Sequence, residues 1–216
     1  DIDGSVAIGS FSQAENRTGQ GNTSVGFETL LVDVNGDSST AVGYQALKTQ
    51  NEISGLVANT AIGYEAGKLV TTGIHNTLIG NEAGDALTIA TRNVAIGSRA
   101  LSSEDVGDRS IAIGFSALNQ QNSDSNNETA GNIGIGVEAG FYNVTGTSNT
   151  FLGYQAGFGS SGDSNTGNTA VGFEAGHDLS TGGSNSLLGY RAGDSLTTGH
   201  NNVAIGIAAI GVSTNV

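Results

Sequence analysis

A nine-residue phrase, Asn59-Thr60-Ala61-Ile62-Gly63-Tyr64-Glu65-Ala66-Gly67, returns in twelve copies along the chain and restricts the possible folds more than any other property. Marked by its central glycine, it falls at Gly9, Gly26, Gly43, Gly63, Gly80, Gly97, Gly114, Gly136, Gly153, Gly172, Gly189 and Gly206. Eight of the eleven intervals are 17 residues, and the others are 20, 22 and 19. A period held this constant means one structural unit stacked on copies of itself. The repeats run over residues 5–210, so residues 1–216 read as a single domain.

With the central glycine as position zero, position −1 is a branched aliphatic in every copy, from Ile8 and Val25 to Leu188 and Ile205. Position −3 is β-branched in all copies but one, as Val6, Thr23, Thr60, Ile111 and Thr169 illustrate. Period-two spacing of β-branched residues over so short a segment predicts a strand. The intervening position −2 is apolar as well (Ala41, Ala61, Leu78, Ala95, Phe151), where a half-solvated strand would be polar. Both faces of the strand are therefore expected to be covered. The natural assignment places the bulky ladder in the solenoid and the small residues of −2 against another chain, in a bundle of parallel solenoids.

Position +3 is Ala in ten copies, which marks a second crowded point, and +4 is Gly in six copies and Leu in four. Glycine there permits a positive φ or a close backbone approach. A weaker apolar stretch follows (Leu69-Val70, Leu87 to Ile89, Leu196), then a turn rich in Thr, Gly and Asn. The expectation is an all-β, parallel β-roll or β-solenoid of twelve coils of about 17 residues, with two strands and two turns per coil, about 55 Å long at the usual inter-strand spacing. The extra residues of the three long intervals fall at 48–58, 119–131 and 158–167, after the same turn, so they project from one side of the rod. Loops so placed often carry recognition, though tolerated surface variation is the plainer account.

Seven basic residues against twenty acidic ones give a formal charge of −13, which repels phosphate backbones and anionic lipid. No nucleic-acid partner and no membrane insertion by this segment are expected, and no run of about 20 apolar residues is present to span a bilayer. The absence of Cys excludes disulfides and thiolate metal sites. The opening Asp1-Ile2-Asp3 reads as that of a processed or excised piece, and the Ser, Thr, Asn and Gly content suits an extracellular surface.

The phrases Ser5-Val6-Ala7-Ile8-Gly9, Asn93-Val94-Ala95-Ile96-Gly97 and Asn202-Val203-Ala204-Ile205-Gly206 resemble the head repeats of trimeric autotransporter adhesins of the YadA type. The resemblance implies left-handed parallel β-rolls, three chains packed around a three-fold axis. The longer form, Asn-Thr-Ala-Ile-Gly-Tyr-Glu-Ala-Gly, is similar to repeats of bacteriophage tail-fibre and host-recognition proteins. It differs from the adhesin heads in its longer period and its aromatic residues at +1. Neither likeness brings catalytic residues with it.

Position +1 carries Phe27, Tyr44, Tyr64, Phe115, Tyr154, Phe173 and Tyr190. Such rings either pack on neighbouring coils or, if exposed, offer faces to a pyranose, which makes Tyr44, Tyr64, Tyr154 and Tyr190 the candidate binding residues. His75, His177 and His200 occupy different phases of the repeat and read as turn residues, with no metal site. Asp33-Val34-Asn35-Gly36-Asp37 resembles part of a calcium loop but lacks the spaced bidentate Glu, so it reads as a polar turn. The Glu at +2 (Glu28, Glu65, Glu82, Glu138, Glu174) alternates with Gln45, Gln155, Arg99 and Arg191, as a solvated position does. No copy supplies a carboxylate pair unlike its neighbours, which argues against catalysis.

The expected function is that of a non-catalytic extracellular fibre segment, from a phage tail fibre or a cell-surface adhesin head, assembled as a homotrimer without cofactors. Its partner would be a surface glycan or a protein receptor. The alternatives are a structural module that self-associates end to end into filaments and, last, a fibre-borne polysaccharide depolymerase.

Overall fold

The computed structural model describes residues 4–51, 55–124 and 129–211. Its strands are β1 (Val6–Ile8), β2 (Thr23–Val25), β3 (Gly36–Asp37), β4 (Thr40–Val42), β5 (Gly55–Leu56), β6 (Thr60–Ile62), β7 (Thr77–Ile79), β8 (Val94–Ile96), β9 (Ile111–Ile113), β10 (Ile133–Ile135), β11 (Thr150–Leu152), β12 (Thr169–Val171), β13 (Ser186–Leu188) and β14 (Val203–Ile205). Twelve of them, one per repeat, form a single parallel sheet in sequence order, β1-β2-β4-β6-β7-β8-β9-β10-β11-β12-β13-β14. Each repeat position lies opposite itself in the next coil. Thr60 pairs with Thr77, and the long intervals leave that register intact, as Val42↔Ile62 and Ile113↔Ile135 show. The chain is an all-β parallel β-solenoid, and among the described residues there is no helix.

The two faces of the sheet are the reverse of the expected assignment. Position −2 points inward, and Ala41, Ala61, Leu78, Ala95, Ala112, Phe151 and Ala170 are fully buried. The alanines at +3 join the same core. The bulky ladder at −3 and −1 points outward, with Ile62, Leu152 and Leu188 at 40%, 43% and 51% exposure. The reason is cross-section: a coil with one three-residue strand encloses too little space for two β-branched ladders, so small residues mark the interior and large ones lie outside. No second chain is needed to explain the small side chains. The exposed aliphatic ladder is the feature that calls for a partner.

Volume also explains the choice at +4. Where −2 is large, as at Leu78, Phe151 and Leu187, +4 in the same coil is Gly84, Gly157 or Gly193. A Cβ on those glycines would stand 2.7 Å from Leu78 Cδ2, 2.3 Å from Phe151 Cδ1 and 2.8 Å from Leu187 Cδ2. Where −2 is Ala41 or Ala112, +4 is Leu47 or Leu118, and both leucines are fully buried. Where both positions are small, as Ala61 with Gly67 and Ala170 with Gly176, a Cβ on the glycine would meet a leucine of the next coil, Leu78 Cδ1 at 2.5 Å or Leu187 Cδ1 at 2.9 Å, so neighbouring coils share the filling.

The central glycine has a different task. Gly63 has φ +145°, and a Cβ there would sit 2.2 Å from the carbonyl oxygen of Gly80 in the next coil. Coil after coil, backbone meets backbone at this corner, and only glycine fits.

The expected second strand is missing from most coils: among the described residues a second row is present only where β3 pairs with β5 and, elsewhere along the rod, as an isolated parallel bridge between Asp108 and Thr129. Elsewhere in the described chain the return arm is a series of turns tied by coil-to-coil hydrogen bonds such as Thr71 N–H to Thr88 O, 2.8 Å. Left-handed residues at −5, among them His75 (φ 61°), Arg92 (61°) and Ser148 (60°), end any extended run just before the strand.

Inside the arm, position −4 forms a polar spine. Asn59 accepts from the backbone N–H of Asn76 at 2.8 Å and donates from Nδ2 to the carbonyl of Gly73 at 2.7 Å. Asn76 repeats this with Asn93 and Ala90, and Asn93 with Ser110 and Gly107. These asparagines are fully buried. Each satisfies one orphan N–H and one orphan carbonyl of the bending backbone. Where the spine has Ser39 or Ser110, a buried glutamine 11 residues on fills the gap: Gln50 donates to Ser39 and accepts from Asn59, and Gln121 does the same for Ser110 and Asn132.

Candidate functional site

The outer surface is what this fold presents to other molecules, because its interior is filled. On that surface the +1 aromatics stack on one another along the rod. Phe27–Tyr44, Tyr44–Tyr64, Tyr154–Phe173 and Phe173–Tyr190 have ring centroids 5.4, 5.2, 5.1 and 5.2 Å apart, all near-parallel. The rings are also half-exposed, with Tyr64 at 48% and Tyr190 at 50%. Both readings of these residues therefore apply in part. Stacking hides the faces inside each run, so Tyr44 and Phe173 show edges, whereas a pyranose needs a face. The candidate residues Tyr44, Tyr64, Tyr154 and Tyr190 do not converge on one site: they belong to two separate stacks.

Charged residues at +2 pair along the rod as a solvated row does, with one another or with Lys48 at +5. Arg99 meets Glu82 at 2.9 Å, Arg191 meets Glu174 at 2.7 Å and Lys48 meets Glu28 at 2.7 Å. The hydrogen bond from Lys48 holds Glu28 below the ordinary carboxylate range, and that from Arg99 does the same for Glu82. The hydrogen bond between Tyr64 and Glu65 raises the phenol. Asp85 departs the other way: half-buried, with Oδ1 lacking a hydrogen-bond partner, it is pushed up to about 6 by desolvation.

His75 lies at a left-handed turn position, and Nδ1 of His200 accepts from the Gly183 N–H at 2.9 Å. Asp33 is a buried turn residue, its Oδ1 accepting from Gly36 N–H and its Oδ2 from Gln50 Nε2. Asp37 accepts from Gln20 N–H at 2.7 Å. These carboxylates serve the turn itself.

His177 differs. Its ring stacks on Phe158 at 5.1 Å, and Phe158 stacks on Phe141 at 5.5 Å, with Tyr142 edge-on to both phenylalanines. This second stack runs along position +5 and escaped the reading by phrase, because half of the coils carry Lys, Asp, Ser or Asn there (Lys48, Lys68, Asp85, Ser102, Asn119, Asp194). Following +5 beyond the nine-residue phrase would have revealed it. The stack ends at an open cleft of about 390 Å³ lined by Glu174, His177, Asp178, Arg191, Asp194 and Ser195. The 158–167 insertion begins at Phe158, beneath His177. The other two insertions include 52–54 and 125–128, which lie outside the described residues.

Comparison with known proteins agrees with this geometry. The sequence model of the YadA head domain repeat matches residues 94–117, in two copies, across β8 and β9. Residues 94–117 thus match YadA-type head repeats, and the β-solenoid is consistent with them. In that family the head domain is a surface-exposed adhesin part without enzymatic activity, and such heads are in general trimeric. No curated protein and no solved structure matches the chain.

Proposed function

We propose that the chain is a β-roll segment of an extracellular homotrimeric fibre, from a cell-surface adhesin or a virion, that projects from its carrier and contacts a host or matrix surface without catalysis. The outward apolar stripe carries this reading. Positions −3, −1 and +1 span about 13 Å and twelve coils rise about 53 Å, giving an outer face of about 700 Å² per chain, apolar along −1 and along one of its two flanking positions. A stable interface buries about 800 Å² per partner, and exposed apolar patches running along such a face mark contacts. Three parallel copies then present every loop three times, so weak contacts add as avidity.

Sedimentation equilibrium at micromolar concentration tests the reading. A folded trimer is expected, and Ile113→Glu, placed on the outer face of β9, should leave folded monomers. A wild-type chain that stays monomeric while folded overturns the proposal, and regular polymers in electron micrographs would replace it with a self-associating filament module.

A further inference from the structure

We infer that the cleft at the end of the second aromatic stack binds a neutral pyranose unit of a surface glycan. The inference rests on the fibre reading, since it gives that fibre a ligand class. One face of the His177 ring is covered by Phe158 of the preceding coil, at 14° between planes, and the other turns toward Asp194 of the following coil. At +5 the stack passes from rings to a short carboxylate, so the gap is where the next ring would lie. Its volume of about 390 Å³ falls in the range of small-ligand clefts.

The lining supplies the polar half of sugar recognition. Arg191 Nε meets Glu174 at 2.7 Å and Asp194 at 3.5 Å, which holds the guanidinium between two carboxylates while its side chain stays 48% exposed. Asp178 Oδ1 holds His177 Nδ1 at 2.6 Å, which fixes the imidazole plane. Ser195 Oγ donates to Asp194 Oδ1 at 3.3 Å. Carboxylates pre-oriented by a guanidinium accept from adjacent sugar hydroxyls, the exposed guanidinium donates to them, and the free imidazole face packs on the pyranose C–H face. Three carboxylates against one guanidinium exclude sialylated and uronate sugars. Phosphate and nucleotide ligands are excluded on the same ground.

The chain's three histidines give a direct readout by NMR of their ring C–H resonances. Methyl glycopyranosides of glucose, galactose and mannose, each titrated to about 50 mM into the assembled protein, should shift the His177 signals and leave those of His75 and His200 in place, with a dissociation constant of about 1–20 mM for one weak site. Sialyllactose should not shift them. Arg191→Ala should weaken binding at least tenfold. His177→Asn, which copies Asn119 at the same repeat position, should fold and lose binding, read for this variant from the sugar's own resonances by saturation-transfer difference. The cleft assignment is overturned if no neutral glycoside moves the His177 signals, if sialyllactose moves them equally, or if His177→Asn binds as well as wild type. Oligomeric mass measured on the same samples separates the two readings: trimers without sugar binding remove this inference alone, whereas monomers remove the fibre reading.

Discussion

The middle coils, built on β8 to β10, and the two triplets that flank them, β2-β4-β6 and β11-β12-β13, share a core but differ outside. In the middle, −3 is aliphatic (Val94, Ile111, Ile133) and +1 is mostly non-aromatic (Ser98, Phe115, Val137). In the triplets, −3 is Thr or Ser (Thr23, Thr40, Thr60, Thr150, Thr169, Ser186) and +1 is an aromatic in every coil. Apolar surface has moved from one side of the −1 ladder to the other: the stripe runs over −3 and −1 in the middle and over −1 and +1 in the triplets. The match to YadA head repeats at 94–117 falls in the middle coils. The fold thus tolerates two outer faces because neither is needed to close the coil, and what varies is the surface offered to partners.

The strongest test of that separation is the glycine corner, which both regions must need equally. In Gly97→Ala the new Cβ would stand 2.4 Å from Gly114 O, and in Gly172→Ala 2.3 Å from Gly189 O, both at strongly positive φ. Each should cost more than about 4 kcal/mol and abolish cooperative thermal unfolding. Tolerance of one and not the other would show that the regions differ in backbone as well as in surface.

Next comes the polar spine. Asn93→Ala orphans the Ser110 N–H and the Gly107 carbonyl, and Asn168→Ala orphans the Asn185 N–H and the Gly182 carbonyl. At about 1–3 kcal/mol for each buried group left unpaired, both variants should lose about 2–6 kcal/mol in denaturant unfolding, the middle coil no less than the triplet.

The spine also shows where the sequence stops being legible. The twelve strands of the main sheet and their register follow from β-branched spacing and stand as expected, whereas the second strand of each coil does not. The inward and outward faces do not follow, because −3, −2 and −1 are all apolar and only the width of the finished coil decides which side is crowded. Asn at −4 reads as the residue that opens the strand, and its inward aim depends on φ values that composition does not reveal. Gln50 and Gln121 could have been noticed, since each lies 11 residues after a Ser that interrupts the Asn row. The cleft at His177 needs three coils stacked in register before its parts meet.

A smaller effect addresses the trade between −3 and +1 directly. Phe173 stacks on both Tyr154 and Tyr190, so Phe173→Ser should cost about 1–3 kcal/mol, two ring pairs at about 0.5–1.5 each. Adding Thr169→Val makes coil ten resemble the Val94/Ser98 coil of the middle. If the two outer faces are alternatives, the double variant should recover about 0.5–1 kcal/mol beyond the sum of the single changes. Strict additivity would mean that the correlation between −3 and +1 does not come from packing within the chain, and would leave the partner chains as its source.

The smallest effect lies where the regions join. The coil of β7 carries Thr77 like the triplets and Asn81 in place of a ring, and its Asp85 is half-buried with Oδ1 lacking a hydrogen-bond partner. Desolvation raises this carboxyl from 3.8 to about 6 in the folded state, helped by the nearby charges of Glu82 and Glu65 and opposed by Arg99. Between pH about 4 and 6 the folded chain binds more protons than the unfolded one, so the stability this group contributes is present below about pH 4 and is lost as the pH rises through about 6. Asp85→Asn removes the titration. It should stabilise the chain at pH 7 by about 1 kcal/mol, after allowance for solvent screening of a half-exposed group, and flatten the fall in melting temperature over that window. The same loss of stability with pH in wild type and variant would place the titrating group elsewhere. The junction would then be no more strained than the coils on either side of it.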